Sequence, residues 1–238
     1  MLAVINRLRT GRPSPSPADW PAATALFAYV AFFSFAYLTL PAGTGALILF
    51  GAVQLTMLSV GVYSGETFGR GAWLGLALAV AGLIYLVSPG IAAPPILGAA
   101  LMAIAGVAWG VYSLRGRRLT DPLAATAGNF ARSVLLAPIL SLLFVINTRP
   151  YAHLAGVALG IASGALTSGM GYVIWYAALG RLSAMRAATV QLSVPLIATF
   201  GGVIFLSEAI TPRLIAASIA ILGGIAMVMT NRSRTPRA

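Results

Sequence analysis

Cysteine and lysine are both missing from this chain of 238 residues, and only four acids and one histidine are present. Without cysteine there are no disulfides and no thiol chemistry, in any compartment. Four scattered carboxylates and the lone His153 leave almost nothing for a protein metal site, so no metal and no cofactor is expected. Charge is scarce as well: 8% of residues are charged, against about 25% in a soluble domain. A surface that poor in charge cannot stay in water. Lipid must therefore be the solvent for most of the chain, whose mean hydropathy is +0.93. The net charge of +11 comes from 15 arginines. A basic total can mark a nucleic-acid partner, but these arginines stand between apolar runs. Nucleic acid is set aside in favour of the bilayer. Arginine without lysine, with abundant alanine and glycine, points to a GC-rich bacterial genome.

Long apolar runs make up the remainder. Eight have membrane length, roughly 17–25 residues: A (21–40), B (44–63), C (72–87), D (95–114), E (124–146), F (154–179), G (187–206) and H (214–229). Their connections are short and leave no room for a soluble domain. Residues 1–20 read as the tail end of a membrane helix followed by an Arg- and Pro-rich cytoplasmic linker, and 231–238 as a basic cytoplasmic tail. The expected fold class is all-α: a polytopic membrane helix bundle.

Arginine placement sets the expected orientation. With the N-terminal arm in the cytoplasm, that side collects Arg7, Arg9, Arg12, Arg70, Arg115, Arg117, Arg118, Arg181, Arg186, Arg232, Arg234 and Arg237. The far side receives only Arg149 and Arg213, and Arg132 lies inside run E. Both termini are expected in the cytoplasm, in a bacterial inner membrane.

An internal repeat organises the chain. Ala36–Glu66 overlays Ala178–Glu208 without a gap, and the register continues into Gly82 over Gly224. Each copy runs loop, apolar helix, lone glutamate, short loop, apolar helix. An odd number of crossings between them makes the repeat inverted. Runs F, G and H thus match A, B and C. Partners for D and E would lie upstream of Met1, so eight helices of a ten-helix plan are expected. The division follows: 21–90 is what remains of the N-terminal repeat, with three helices, and 91–230 is the C-terminal repeat, with five.

Specific residues carry a resemblance. Leu40-Pro-Ala-Gly-Thr-Gly-Ala-Leu-Ile-Leu-Phe50, Gly65-Glu66 and Trp73-Leu-Gly-Leu-Ala-Leu-Ala-Val-Ala-Gly82 resemble the EamA-type branch of the drug/metabolite transporter superfamily. So do Tyr176-Ala-Ala-Leu-Gly-Arg-Leu182, Ser207-Glu208 and Ile221-Leu-Gly-Gly224. The resemblance begins near Trp20 and lacks the family's first helix and most of its second. It implies ten helices in two inverted halves, no enzyme activity, and movement of small metabolites, commonly outward. Amino acids fall within the implied range. The alternative is a non-transporting, truncated membrane protein or an assembly partner. A small-molecule substrate and the lipid bilayer are the expected partners, and a homodimer is allowed.

Candidate site residues follow from polarity inside apolar runs. Gln191, Ser193 and Pro195 lie in run G, where Pro195 removes one backbone donor and frees a carbonyl. Gln54 is the polar residue of run B. Tyr172, Trp175 and Tyr176 share one face of run F, read either as a cavity wall or as an interfacial belt. Tyr29 in run A, Trp109 and Tyr112 in run D, and Asn129 with Arg132 in run E complete the set. Arg132 is either a counter-ion for a substrate carboxylate or a snorkelling side chain. The site is expected between runs A, B, F and G. Phe27, Phe32, Phe33 and Phe35 read as lipid-facing or filler. Gly106 with Gly110, and Gly156, Gly160 and Gly164, read as close-packing stripes.

No catalytic constellation is expected. Ser163 lies ten residues after His153, about 15 Å along a helix, too far for a general base to reach it. Glu66 and Glu208 are each expected to cap the helix that follows them. No carboxylate falls mid-span, which argues for facilitated export or exchange over ion-coupled pumping.

Overall fold

A computed structural model describes residues 19–63, 69–88, 93–116, 119, 121–147, 153–172, 174 and 193–230. Met1–Asn6, Glu66, Trp175, Tyr176 and Gln191 lie outside them, as does the C-terminal tail. The described residues form α1 (Trp20–Ala36), α2 (Ala42–Tyr63), α3 (Arg70–Val87), α4 (Ile96–Gly116), α5 (Pro122–Val134), α6 (Ala137–Asn147), α7 (Leu154–Ala162), α8 (Ser193–Leu206) and α9 (Pro212–Thr230). A π-helical stretch, Ser163–Met170, continues α7. No strand occurs among the described residues. Counting α5 with α6, and α7 with its continuation, gives the eight expected crossings.

Run E differs from expectation, because two helices replace one. Pro138 has no N–H to give the carbonyl of Val134. The chain tightens there instead: the Leu135 amide bonds the Arg132 carbonyl and the Leu136 amide bonds the Ser133 carbonyl, both at 3.0 Å. Run F also differs, since Ser163–Met170 within it is a π-helix rich in small and hydroxylated residues.

Two compact units make up the chain. One holds residues up to Phe27 with Tyr112–Leu182, and the other holds Ala28–Val111 with Ser183–Ala238. In the first, hydroxyls and one ion pair join the helices. Tyr112 Oη lies 3.0 Å from Thr126 Oγ1. Ser133 Oγ is 2.9 Å from the Ala23 carbonyl and 2.8 Å from that of Asn129.

The second unit is joined by glycines. A Cβ on Gly75 would meet the Gly224 carbonyl at 2.5 Å, and one on Gly82 would meet the Ala220 Cβ at 2.7 Å. The α3 and α9 backbones therefore touch. Contact runs down one helix as it runs up the other, so the two are antiparallel. These helices are the repeat partners C and H, and inversion requires that relation. Gly106 and Gly110 of α4 meet Ala52 and Thr56 of α2 in rising order, so that pair is parallel. Both directions are those that alternating crossings demand. The stripe reading holds for Gly106 and Gly110. It fails for Gly156, Gly160 and Gly164, which have no neighbour among the described residues within 4 Å of an added Cβ.

Large apolar side chains crowd the outside. Leu38, Phe205 and Ile219 are at least 70% exposed. In water each would forgo about 1.5–3 kcal/mol of burial. In lipid they are simply solvated, and helices with internally paired backbones are what lipid permits.

Candidate functional site

The described carboxylates come first, because they are few and each caps a helix. Asp19 sits just before α1, and its Oδ1 accepts the Ala22 amide at 2.6 Å. Asp121 does the same for Ala124 at 3.1 Å, with Pro122 opening α5. Both are N-caps, and each satisfies an amide that the helix itself leaves unpaired. Glu208 caps too, but not the helix that follows it. Its two oxygens take the amide of Ala42, at 2.8 and 2.9 Å. The sequence expectation is corrected here: the capped helix is α2, 166 residues away, whereas α9 opens on Thr211, whose hydroxyl accepts the Leu214 amide at 3.1 Å.

Asp19 also pairs with Arg115 at 2.7 Å. The Arg115 hydrogen bond holds its carboxyl below the usual value of 3.8, helped by the Ala22 amide and by the charge of Arg132. A depressed carboxyl stabilises the fold above its unfolded pKa and loses that contribution as pH falls through the folded one. Both side chains are nearly half exposed, so the pair is worth well under about 1 kcal/mol. Asp19→Asn should keep the cap and lose the pair. Its small stability deficit in detergent at pH 7 should vanish near pH 3, whereas a deficit independent of pH would contradict this assignment.

The candidate binding residues fall into separate groups. Tyr29 stacks on Trp109, ring centroids 4.8 Å apart, and on Phe33 at 5.5 Å. Phe33 meets Tyr37 edge-on at 4.7 Å, and Tyr37 donates its hydroxyl to the Ala42 carbonyl at 3.2 Å. Phe33 is thus part of an aromatic ladder rather than filler. Tyr37 was not singled out by sequence. Its signal was there, since Tyr29, Phe33 and Tyr37 recur every four residues and share a helix face.

Asn129 is 2% exposed and its Oδ1 has no hydrogen-bond partner among the described residues. An orphaned buried acceptor costs on the order of 1–3 kcal/mol. Arg132, one turn on, has its guanidinium 3.4 Å from the Gly128 carbonyl and adds to the field at Asp19. Tyr172 is half-buried and packs edge-on against Phe130 at 5.7 Å.

Gln54 lines a small cleft with Gly51, Leu55, Leu76, Ala79, Leu83, Ile225 and Val228, from α2, α3 and α9. Of the runs A, B, F and G expected to surround the site, this cleft includes only B, joined here by C and H. Pro195 is buried in the first turn of α8, the position where a helix needs no amide from it. Ser193 opens the same turn.

Comparison with known proteins decides the family. Residues 96–230 match the profile of the EamA-like transporter family. The chain belongs to that family. An uncharacterized protein of Pseudomonas aeruginosa is 50% identical over 232 residues, covering 98% of this chain and 80% of its own length. A "Probable terminal-alkyne amino-acid exporter" of Streptantibioticus cattleyicolor is 28% identical over 90% of this chain and 71% of itself. The threonine/homoserine exporter RhtA of Escherichia coli is 28% identical over 75% of this chain and 61% of itself. A solved crystal structure shares the fold, with a TM-score of 0.63 at 21% identity over 96% of this chain and 84% of that one. EamA-like proteins are integral membrane transporters of small molecules, not enzymes.

Proposed function

We propose that this EamA-like chain exports small polar metabolites, amino acids among them, from the bacterial cytoplasm by alternating access. Relatives named as amino-acid exporters support the substrate class, since they are alignable over 75–90% of the chain. The described carboxylates support uncoupled export or exchange: Asp19, Asp121 and Glu208 all sit at helix starts, where they cap. The observation that carries a binding role is Asn129, a buried amide oxygen with no partner among the described residues. A hydrogen-bond donor on a substrate would satisfy it. Within the other unit Tyr29 and Trp109, whose rings pack against each other at a tilt, are separate candidates, and Gln54, Tyr172, Arg132, Ser193 and Pro195 stay as candidates, with Gln191, Trp175 and Tyr176. The termini face the cytoplasm in this reading, and the repeats divide at about residue 90.

Purified protein in liposomes tests it. Threonine or homoserine loaded inside should exchange with labelled external substrate at least tenfold faster than in empty liposomes. No exchange of either, or of any other amino acid tried, would overturn the reading in favour of a non-transporting membrane protein.

A further inference from the structure

The connection between α8 and α9 is short, residues 207–211, and its neighbourhood carries two opposite charges. Each charge goes to a helix end of the other repeat. Glu208 takes the amide of Ala42, at the positive end of α2. Arg213 donates to the carbonyls of Leu86, at 3.4 Å, and of Ser88, at the negative end of α3. Its guanidinium also lies over the Tyr85 ring, 5.5 Å from the centroid. So the carboxylate meets a helix start and the guanidinium a helix finish. Each satisfies backbone groups that the helices leave unpaired.

The turn itself is held away from its preferred geometry. Ser207 has a φ of +54° without being glycine, which costs roughly 1 kcal/mol or more. The Glu208 amide folds back to the Gly202 carbonyl at 3.1 Å, and this aims the carboxylate at α2. Glycine at 202 leaves the carboxylate its room, since a Cβ there would push the flexible tip of Glu208 aside. Next to it, Thr199 of α8 closes on Gly43 of α2. Strain, a close backbone approach and two complementary charges thus converge on one strap.

We infer that this strap is a latch, which ties the repeats together at one face of the bundle and must release for that face to open. The inference rests on the alternating-access reading. It adds which contacts hold the closed state and which residues break them. The bound ends belong to α2 and α3, and the strap to α8 and α9. Any motion that parts these helices at this face has to break the Glu208–Ala42 and Arg213–Ser88 bonds first.

The absence of cysteine makes the test clean. An ideal Cβ at Gly202 lies 3.3 Å from the Ala42 Cβ, close to the separation of about 3.5–4.5 Å that a disulfide needs. The double variant Ala42→Cys with Gly202→Cys would be inserted, oxidised and reconstituted into liposomes. Threonine and homoserine exchange should fall at least twentyfold on cross-linking and return on reduction, with each single variant insensitive to oxidant. A cross-linked protein that exchanges as fast as the reduced one would overturn the latch and leave the transport reading standing. A wild-type protein with no exchange would sink the transport reading itself. In that case, hydrogen exchange at the Ala42 amide still decides the contact. Glu208→Ala, which removes the acceptor altogether, should speed it at least tenfold, and an unchanged rate contradicts the latch.

Discussion

Gly224→Leu removes folded protein from the membrane, while Gly223→Leu, one residue away, leaves it intact. Three atoms decide the difference. A Cβ at Gly224 would collide with the Gly75 carbonyl, and it would lie 2.6 Å from the Ala79 amide nitrogen and 3.0 Å from the Ala79 Cβ. Two of the three are backbone, which cannot swing aside as a side-chain tip can. At Gly223 nothing among the described residues lies within 4 Å of an added Cβ. Overpacking a core costs typically 1–3 kcal/mol when neighbours yield. Here they cannot, so α3 and α9 must part, and the loss is expected to exceed about 3 kcal/mol. In lipid no hydrophobic force compensates, because tails are as apolar as leucine and close backbone contact is what holds such helices together. Detergent-extracted yield and a thermal melt by size-exclusion read the outcome. Equal yields of the two variants would mean that α3 and α9 do not touch.

Asn129→Leu is expected to separate stability from transport. The side chain is buried, and its Oδ1 is unpaired among the described residues. Leucine keeps asparagine's branch at Cγ, is larger, and carries no polar atom to strand. Tyr112 keeps Thr126 as a partner. The melting temperature in detergent should stay within a few degrees of wild type or rise, as removal of an orphaned acceptor predicts. Exchange of threonine or homoserine should fall at least tenfold, a loss of about 1.4 kcal/mol or more in transition-state binding. A variant that melts far lower but transports normally would make Asn129 a structural residue and remove it from the site.

Much of the fold can be read from the residues because lipid makes the code simple. Length and apolarity locate helices, and arginine placement orders the crossings. The helix directions seen for α3 with α9, and for α2 with α4, are the ones that order requires. What was not legible involves contacts between distant parts of the chain. Glu208 reads locally as a cap for the next helix. Only the folded chain brings Ala42 to it, since sequence spacing holds no information about a partner 166 residues away. Pro138 was visible, but run E is apolar on both sides of it, and continuity of hydropathy hid the break. The stripe at Gly156, Gly160 and Gly164 shows the opposite error. Small-residue spacing identifies a helix that can pack closely and does not name its neighbour. For the site, composition picked out Asn129, Tyr29 and Trp109 as polar or aromatic groups in hydrocarbon. It could not say that Tyr29 and Trp109 stack while Gln54 lines a different cleft.

Single cysteines placed at Thr67 and at Ala209, repeat-equivalent positions in an otherwise cysteine-free chain, test the central claim most directly. Sealed inverted and right-side-out vesicles would be treated with a membrane-impermeant thiol reagent. An inverted repeat spanning the bilayer predicts that position 67 labels only from the cytoplasmic side and position 209 only from the opposite side. Labelling of both from one side would contradict it.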